Sequence, residues 1–191
     1  MSLVLASTSV YRRQLLERLG LPFLVASPHT DESPLPEESP ENLVCRLAEA
    51  KAAAVAGLHP GATVIGSDQV ALIDGRVLGK PGTLENAAAQ LRLASGRAVL
   101  FLNGLCLLSP HAPTRQIDMI PFRVHFRHLS DDQILRYLER DQPFDCAGGF
   151  KSERLGIALF ERMEGDDPTS LMGLPLIALT GMLTRVGMPA V

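Results

Sequence analysis

Residues 3–19 read Leu-Val-Leu-Ala-Ser-Thr-Ser-Val-Tyr-Arg-Arg-Gln-Leu-Leu-Glu-Arg-Leu. Leu3–Ala6 is a short unbroken apolar run, the pattern of a buried strand. From Val10 the apolar residues Leu15, Leu16 and Leu19 fall on one helical face, and Gly20 supplies a stop. Between the two lies Ser7-Thr8-Ser9. A strand that hands small hydroxyl residues to a helix N-terminus makes an anion site, because free backbone N–H groups and the positive dipole end meet there. Arg12 and Arg13, in the first turns, add charge and forked donors suited to phosphate. The chain therefore begins as a β–α unit that handles a phosphate-bearing small molecule.

Working outward, Leu21–Ala26 reads as a second strand and residues 27–40 as a Pro-, Ser- and Glu-rich loop. Ser39 caps a helix with Pro40 at its first position, running to about Ala56 and ending at Gly57. Ala62–Ile73 is a strand, apolar except for Ser67, Asp68 and Gln69. Asp74-Gly75 turns it back through Arg76–Leu78. Thr83 caps a helix through Ser95. Ala98–Leu108 and Ile117–His128 are long strands, and the alternation of Phe122, Val124 and Phe126 marks a half-exposed antiparallel pair. Ser130 caps a helix to about Arg140, residues 143–156 form a loop, Ile157–Met163 a strand and Leu174–Arg185 a closing helix. Early alternation followed by antiparallel candidates predicts an α/β protein with a mixed sheet. No repeat or linker interrupts the chain, so 1–191 reads as a single domain.

Composition narrows the function. With 46% hydrophobic and 20% charged residues the chain is an ordinary globular one. A net charge of -3 argues against a nucleic acid polymer as partner. Cys45, Cys106 and Cys146 are unevenly spaced, which makes neither a disulfide framework nor a zinc site and fits a reducing cytoplasm. There is no signal-peptide pattern and no apolar run of membrane-spanning length.

Asp68 is the second informative residue. A carboxylate between the apolar runs Ile65-Gly66 and Val70–Leu72 is costly unless paired, hydrogen-bonded or metal-bound, and such a residue suits a general base or metal ligand. Lys80, in Gly79-Lys80-Pro81, reads by itself as an exposed hairpin lysine. Lys51, with Arg46 and Glu49, reads as part of a solvated helix face. Asp31-Glu32 is a solvated acidic pair or, near phosphate, a place for Mg²⁺. Residues 145–153, with Gly148 and Gly149, form a turn or a loop that approaches a ligand closely. His125 and His128 fall on opposite strand faces and read as surface residues without a metal role.

Taken in order, Leu5-Ala6-Ser7-Thr8-Ser9 with Arg12, Asp31-Glu32, Arg46-Leu47-Ala48 with Lys51-Ala52, Ser67-Asp68-Gln69, Gly79-Lys80-Pro81, Ser95-Gly96, Ala147-Gly148 with Phe150, and Gly173-Leu174-Pro175-Leu176 resemble the Maf family of nucleotide pyrophosphatases across nearly the whole chain. The resemblance implies an elongated, largely antiparallel mixed sheet flanked by helices, like that of the inosine triphosphatases, in two lobes with a central cleft. It implies cleavage between the α- and β-phosphates of a nucleoside triphosphate, a divalent cation (Mg²⁺ or Mn²⁺), a cytoplasmic location and a homodimer. Asp68 is then the proton acceptor; Ser7, Arg12, Lys51 and Lys80 contact substrate; Glu32 and Asp68 hold the metal.

Tyr11, Gln69 and Glu153 depart from the commonest family pattern, and the combination resembles the branch acting on 7-methyl-GTP, although an indole is usual where Tyr11 stands. The chemistry agrees, since N7-methylation makes guanine cationic, an aromatic face favours a cation, and a carboxylate at Glu153 suits the guanine N–H edge. Competing readings are the same reaction on dTTP, UTP or another modified nucleotide, a nucleotide-binding regulator of cell division and septum formation, and an unrelated phosphate-binding module.

Overall fold

The computed structural model describes residues 2–191; Met1 lies outside them. The strands are β1 (Leu3–Ala6), β2 (Leu24–Ala26), β3 (Thr63–Ile73), β4 (Arg76–Leu78), β5 (Ala98–Leu108), β6 (Arg115–Phe126) and β7 (Phe160–Glu164). The helices are α1 (Val10–Glu17), α2 (Pro40–Ala56), α3 (Leu84–Ala94), α4 (Asp131–Asp141) and α5 (Leu176–Arg185). The strands form one seven-stranded sheet in the order β2-β1-β3-β5-β6-β7, with β4 paired to β3. β1 runs parallel to both β2 and β3, whereas β4 is antiparallel to β3 and β7 to β6. The mixture follows from the connections: helices return the chain for parallel pairing, and the tight Asp74-Gly75 turn permits only an antiparallel partner.

Two compact units divide the chain. The first comprises residues up to Gln69 with 102–120 and 167–191, the second 70–101 with 121–166. In the first, successive residues of β1 are buried on opposite faces, as strand geometry requires. Leu3 and Leu5 join Leu15, Leu16, Leu105 and Leu179, while Val4 and Ala6 join Ala48, Ala52 and Val55 of α2. Burial on both faces explains why β1 is apolar without alternation. In the second unit, Phe101, Phe126, Phe150 and Phe160 pack edge to face, with ring centroids 5.0 to 5.6 Å apart.

Two glycines set how closely α2 lies on the sheet. A Cβ on Gly66 would overlap the Ala48 carbonyl oxygen, and one on Gly104 the Val44 carbonyl oxygen. Helix backbone thus rests directly on β3 and β5, closer than any side chain would permit.

Several boundaries differ from the sequence reading. Leu21-Pro22-Phe23 precede β2, because Pro22 has no N–H to give a ladder. β6 begins at Arg115 and stops at Phe126. Leu155–Leu159 form a 3₁₀ turn, so β7 starts at Phe160. α5 begins at Leu176, with Pro175 at its N-cap. Among the described residues no helix is long and apolar enough to cross a membrane.

Candidate active site

The turn from β1 into α1 is tied internally. Ser9 caps α1 by accepting the Arg12 N–H at 3.3 Å, and the Ser9 N–H donates to Ser7 Oγ at 3.1 Å. Ser7 is 3% exposed, and its hydroxyl proton remains available to donate. Arg12, one turn into α1, gives its Nε–H to the Gly173 carbonyl at 2.9 Å. Burial lowers its pKa from the usual arginine value, opposed by the nearby Asp68 and Glu32 carboxylates. It stays charged at any physiological pH. Tyr11 precedes it, half-buried.

β3 sorts its residues by face. Gly66 faces α2, so Asp68, two residues on, faces α2 as well. Its Oδ1 lies 2.6 Å from Lys51 Nζ. The same Nζ lies 2.6 Å from Glu32 Oε1. Lys51 is 4% and Asp68 7% exposed. Lys51 is therefore not on a solvated helix face; the closeness that Gly66 permits carries it inward, onto Asp68. Asp31 and Glu32 part company in the same way. Asp31 accepts the Ser33 N–H at 2.9 Å, whereas Glu32 reaches Lys51. With Arg12 these side chains form a balanced set of two cations and two anions.

The loop bearing Glu32 is anchored to α2. Arg46 holds both Glu38 carboxylate oxygens, at 2.6 and 2.8 Å, and donates to the Ser33 carbonyl at 3.0 Å. This pairing draws the Glu38 pKa down to about 2.

Ser67 and Gln69 face the other way, toward residues 167–175. Ser67 Oγ–H donates to the Gly173 carbonyl at 2.9 Å, so that one oxygen serves both Ser67 and Arg12. Gln69 Nε2 donates to the Ser170 carbonyl at 2.8 Å and lies 3.2 Å from Asn103 Oδ1. Backbone carbonyls only accept, so the amide orientation is settled and Oε1 is the atom left to meet a ligand. Asp167, 2% exposed, fastens this segment: its carboxylate accepts the Thr169 and Ile177 N–H groups at 3.0 and 2.6 Å. Gly173 adopts φ +93°, and a Cβ there would stand 3.3 Å from Arg12 Nε. Asn103 and Asp167 went unnoticed in the sequence; an Asp-Pro-Thr step just before the last helix was the signal available for Asp167.

Ser7, Tyr11, Arg12, Glu32, Lys51, Asp68 and Gln69 all belong to the first unit, whereas Lys80 and Glu153 belong to the second. Lys80 is exposed just after β4. Glu153 is exposed in a firmly held turn: the Lys151 N–H donates to Tyr137 Oη at 2.9 Å, and Arg154 Nε lies 3.1 Å from a buried Asp141 oxygen. Among the described residues no group of three or more His, Cys, Asp and Glu side chains forms a metal cage.

The chain is thus a mixed-sheet α/β protein with a buried ammonium between two carboxylates, beside an arginine at a helix start. The family model described as Maf-like protein matches residues 2–186, and the chain belongs to that family. A 7-methyl-GTP pyrophosphatase of Nitrosococcus oceani is 54% identical over 98% of this chain and 94% of its own length. One of Pseudomonas aeruginosa is 56% identical over 97% and 96%. One of Nitrosospira multiformis is 53% identical over 99% and 96%. Among solved structures, the Ham1 protein of Staphylococcus aureus is similar with a TM-score of 0.44 and 18% identity, covering 69% of this chain and 73% of that one.

Proposed function

We propose that this protein hydrolyses 7-methyl-GTP to 7-methyl-GMP and diphosphate. The observation that carries the reaction class is the cluster in which the buried Lys51 Nζ holds the buried Asp68 and the exposed Glu32, each at 2.6 Å, beside Arg12. Asp68 is the proton acceptor. One of its oxygens is fixed by Lys51, and the carboxylate takes a proton from water as the water oxygen attacks phosphorus at the α–β anhydride. The P–O bond to the leaving diphosphate breaks, and the proton remains on Asp68 until solvent removes it. Arg12 and Lys51 neutralise phosphate charge, Ser7 donates its hydroxyl, and Lys80 contributes a further cation.

The donor set fits a hard divalent cation. Asp68 and Glu32 bring carboxylate oxygens to one place, and Mg²⁺ or Mn²⁺ is bound by one or two carboxylates together with substrate phosphates. The four charged side chains already cancel, so a triphosphate needs cationic charge from outside the chain. Asp68 and Glu32 would hold that ion, which supplies charge neutralisation on the phosphates.

Substrate choice is assigned to Tyr11, Gln69 and Glu153. Tyr11 offers an aromatic face to the cationic base, Gln69 offers Oε1 as a fixed acceptor, and Glu153 offers a carboxylate to the guanine N–H edge. The 53–56% identical relatives named for 7-methyl-GTP support this choice over dTTP or UTP. A cytoplasmic homodimer belongs to the same reading, supported by the family resemblance and by three free cysteines among the described residues.

The test is pyrophosphate release from a panel of standard and modified nucleoside triphosphates with Mg²⁺ and Mn²⁺. 7-Methyl-GTP should be cleaved fastest, giving the monophosphate by mass spectrometry. Asp68→Asn should bind nucleotide yet turn over about 10²–10⁴-fold more slowly. A panel led by dTTP or UTP would defeat the substrate assignment, and full turnover in Asp68→Asn would remove Asp68 from the chemistry. Glu153→Gln should narrow the preference for 7-methyl-GTP over GTP.

A further inference from the structure

Most arginines of this chain are engaged with carboxylates or carbonyls, as Arg13, Arg46, Arg92, Arg97, Arg115 and Arg154 are. Among the described residues, Arg18, Arg76, Arg127, Arg136 and Arg140 make neither an ion pair nor a side-chain hydrogen bond. Three of these, Arg127, Arg136 and Arg140, line one cavity of about 280 Å³ in the second unit. Arg136 and Arg140 stand one turn apart on α4, a spacing at which like charges repel. Arg140 sits in the last turn of α4, where the helix dipole favours a cation, but Arg127 and Arg136 have no such support. Glu139 is the one carboxylate in the lining and pairs with none of the three. The remaining wall is mostly apolar, from Leu129, Leu155, Ala158 and Leu159 with the buried Tyr137, and Gln133 adds one neutral polar side chain. In a chain of net charge -3, three guanidiniums against one carboxylate around an apolar floor are a local excess of positive charge.

We propose that this cavity binds a small organic phosphate. The guanidinium forks of Arg127, Arg136 and Arg140 take the phosphate oxygens, and the ligand's ring or chain lies on Leu129, Leu155 and Leu159. Guanidinium forks match phosphate geometry better than point charges do, and no lysine is in the lining. A cavity of this size admits one ring with a phosphate and lies just below the usual range of small-molecule sites.

The probe is phenyl phosphate, titrated into the full chain by calorimetry and by amide chemical shifts. Inorganic phosphate and an uncharged benzene derivative serve as its two halves. Because the first unit also takes phosphate, the comparison is with Arg136→Gln/Arg140→Gln, whose exposed side chains can be replaced without loss of fold. The wild type should show a site whose shifts map to residues 127–140 and 155–159, tighter for phenyl phosphate than for either half. The double variant should weaken that site about tenfold or more, each lost bidentate contact being a charge-assisted one. Absence of shifts in those segments, or equal affinity in the double variant, overturns the proposal. So does an acidic peptide that shifts them where phenyl phosphate does not, which would mark a protein-docking surface.

Discussion

Lys51 stands between two carboxylates, and its removal would leave the buried Asp68 without the cation it touches. Breaking a buried ion pair by removing one partner is far more costly than never having built it. Lys51→Met is therefore expected to lower the melting temperature and to slow pyrophosphate release about 10²–10³-fold, checked by thermal unfolding and a phosphate-coupled assay. Gly173 is a second sensitive residue. Its φ of +93° disfavours a side chain, and a Cβ would press on Arg12 Nε. Gly173→Ala is expected to cost about 1–2 kcal/mol in stability and to raise KM for substrate more than it lowers kcat, since it displaces Arg12, the proposed phosphate contact, and not the proposed base. Steady-state kinetics with denaturant unfolding separates the two effects.

At the scale of elements, the fit of α2 on the sheet depends on positions that carry no side chain. Gly66→Ala would drive a methyl into the Ala48 carbonyl, so α2 must lift away from β3. Overpacking of this kind costs about 1–3 kcal/mol, and here it also lengthens the Lys51–Asp68 contact. Activity should consequently fall further than stability alone explains, measured at a temperature where the variant is fully folded. The loop that brings in Glu32 depends on the Arg46–Glu38 pair. The Glu38 pKa is depressed from 4.5 to about 2, so its contribution to stability is complete above the unfolded value and is lost as pH falls through about 2. Glu38→Gln should lessen the loss of stability between pH 4.5 and 2, read from urea midpoints across that window.

Across the whole molecule, the buried core of the first unit encloses Cys106, whose thiol is pushed up to about 12 by burial. Only the thiolate reacts with alkylating reagents. Cys106 should therefore stay unmodified by iodoacetamide at neutral pH until the molecule opens globally, and its labelling rate, followed by mass spectrometry, should track unfolding. Modification of Cys106 as fast as a free thiol would show that this core opens locally.

Much of this was legible in the chain itself. Chain-local chemistry decided the caps at Ser9, Ser39, Thr83 and Ser130, each accepting the N–H three residues on. Periodicity decided the strands and helices, and the order of short motifs decided the family. Asp68 stood out because a carboxylate in an apolar strand needs a partner. Its partner could not be found that way. Lys51 on α2 reads like any charged helix residue, since burial of a lysine depends on how near the helix lies to the sheet. That distance is fixed by Gly66 and Gly104 together, one on β3 and one on β5. The same holds for Gly173 and Asn103. Their importance comes from atoms far along the chain, Arg12 and Ser67 on the Gly173 carbonyl and Gln69 on the Asn103 side chain, brought together by packing. The sequence by itself determined which elements form and which chemistry is present. Tertiary structure alone decided which charges meet, because ion pairing depends on separation in space, and that separation is set by packing of the sheet and α2.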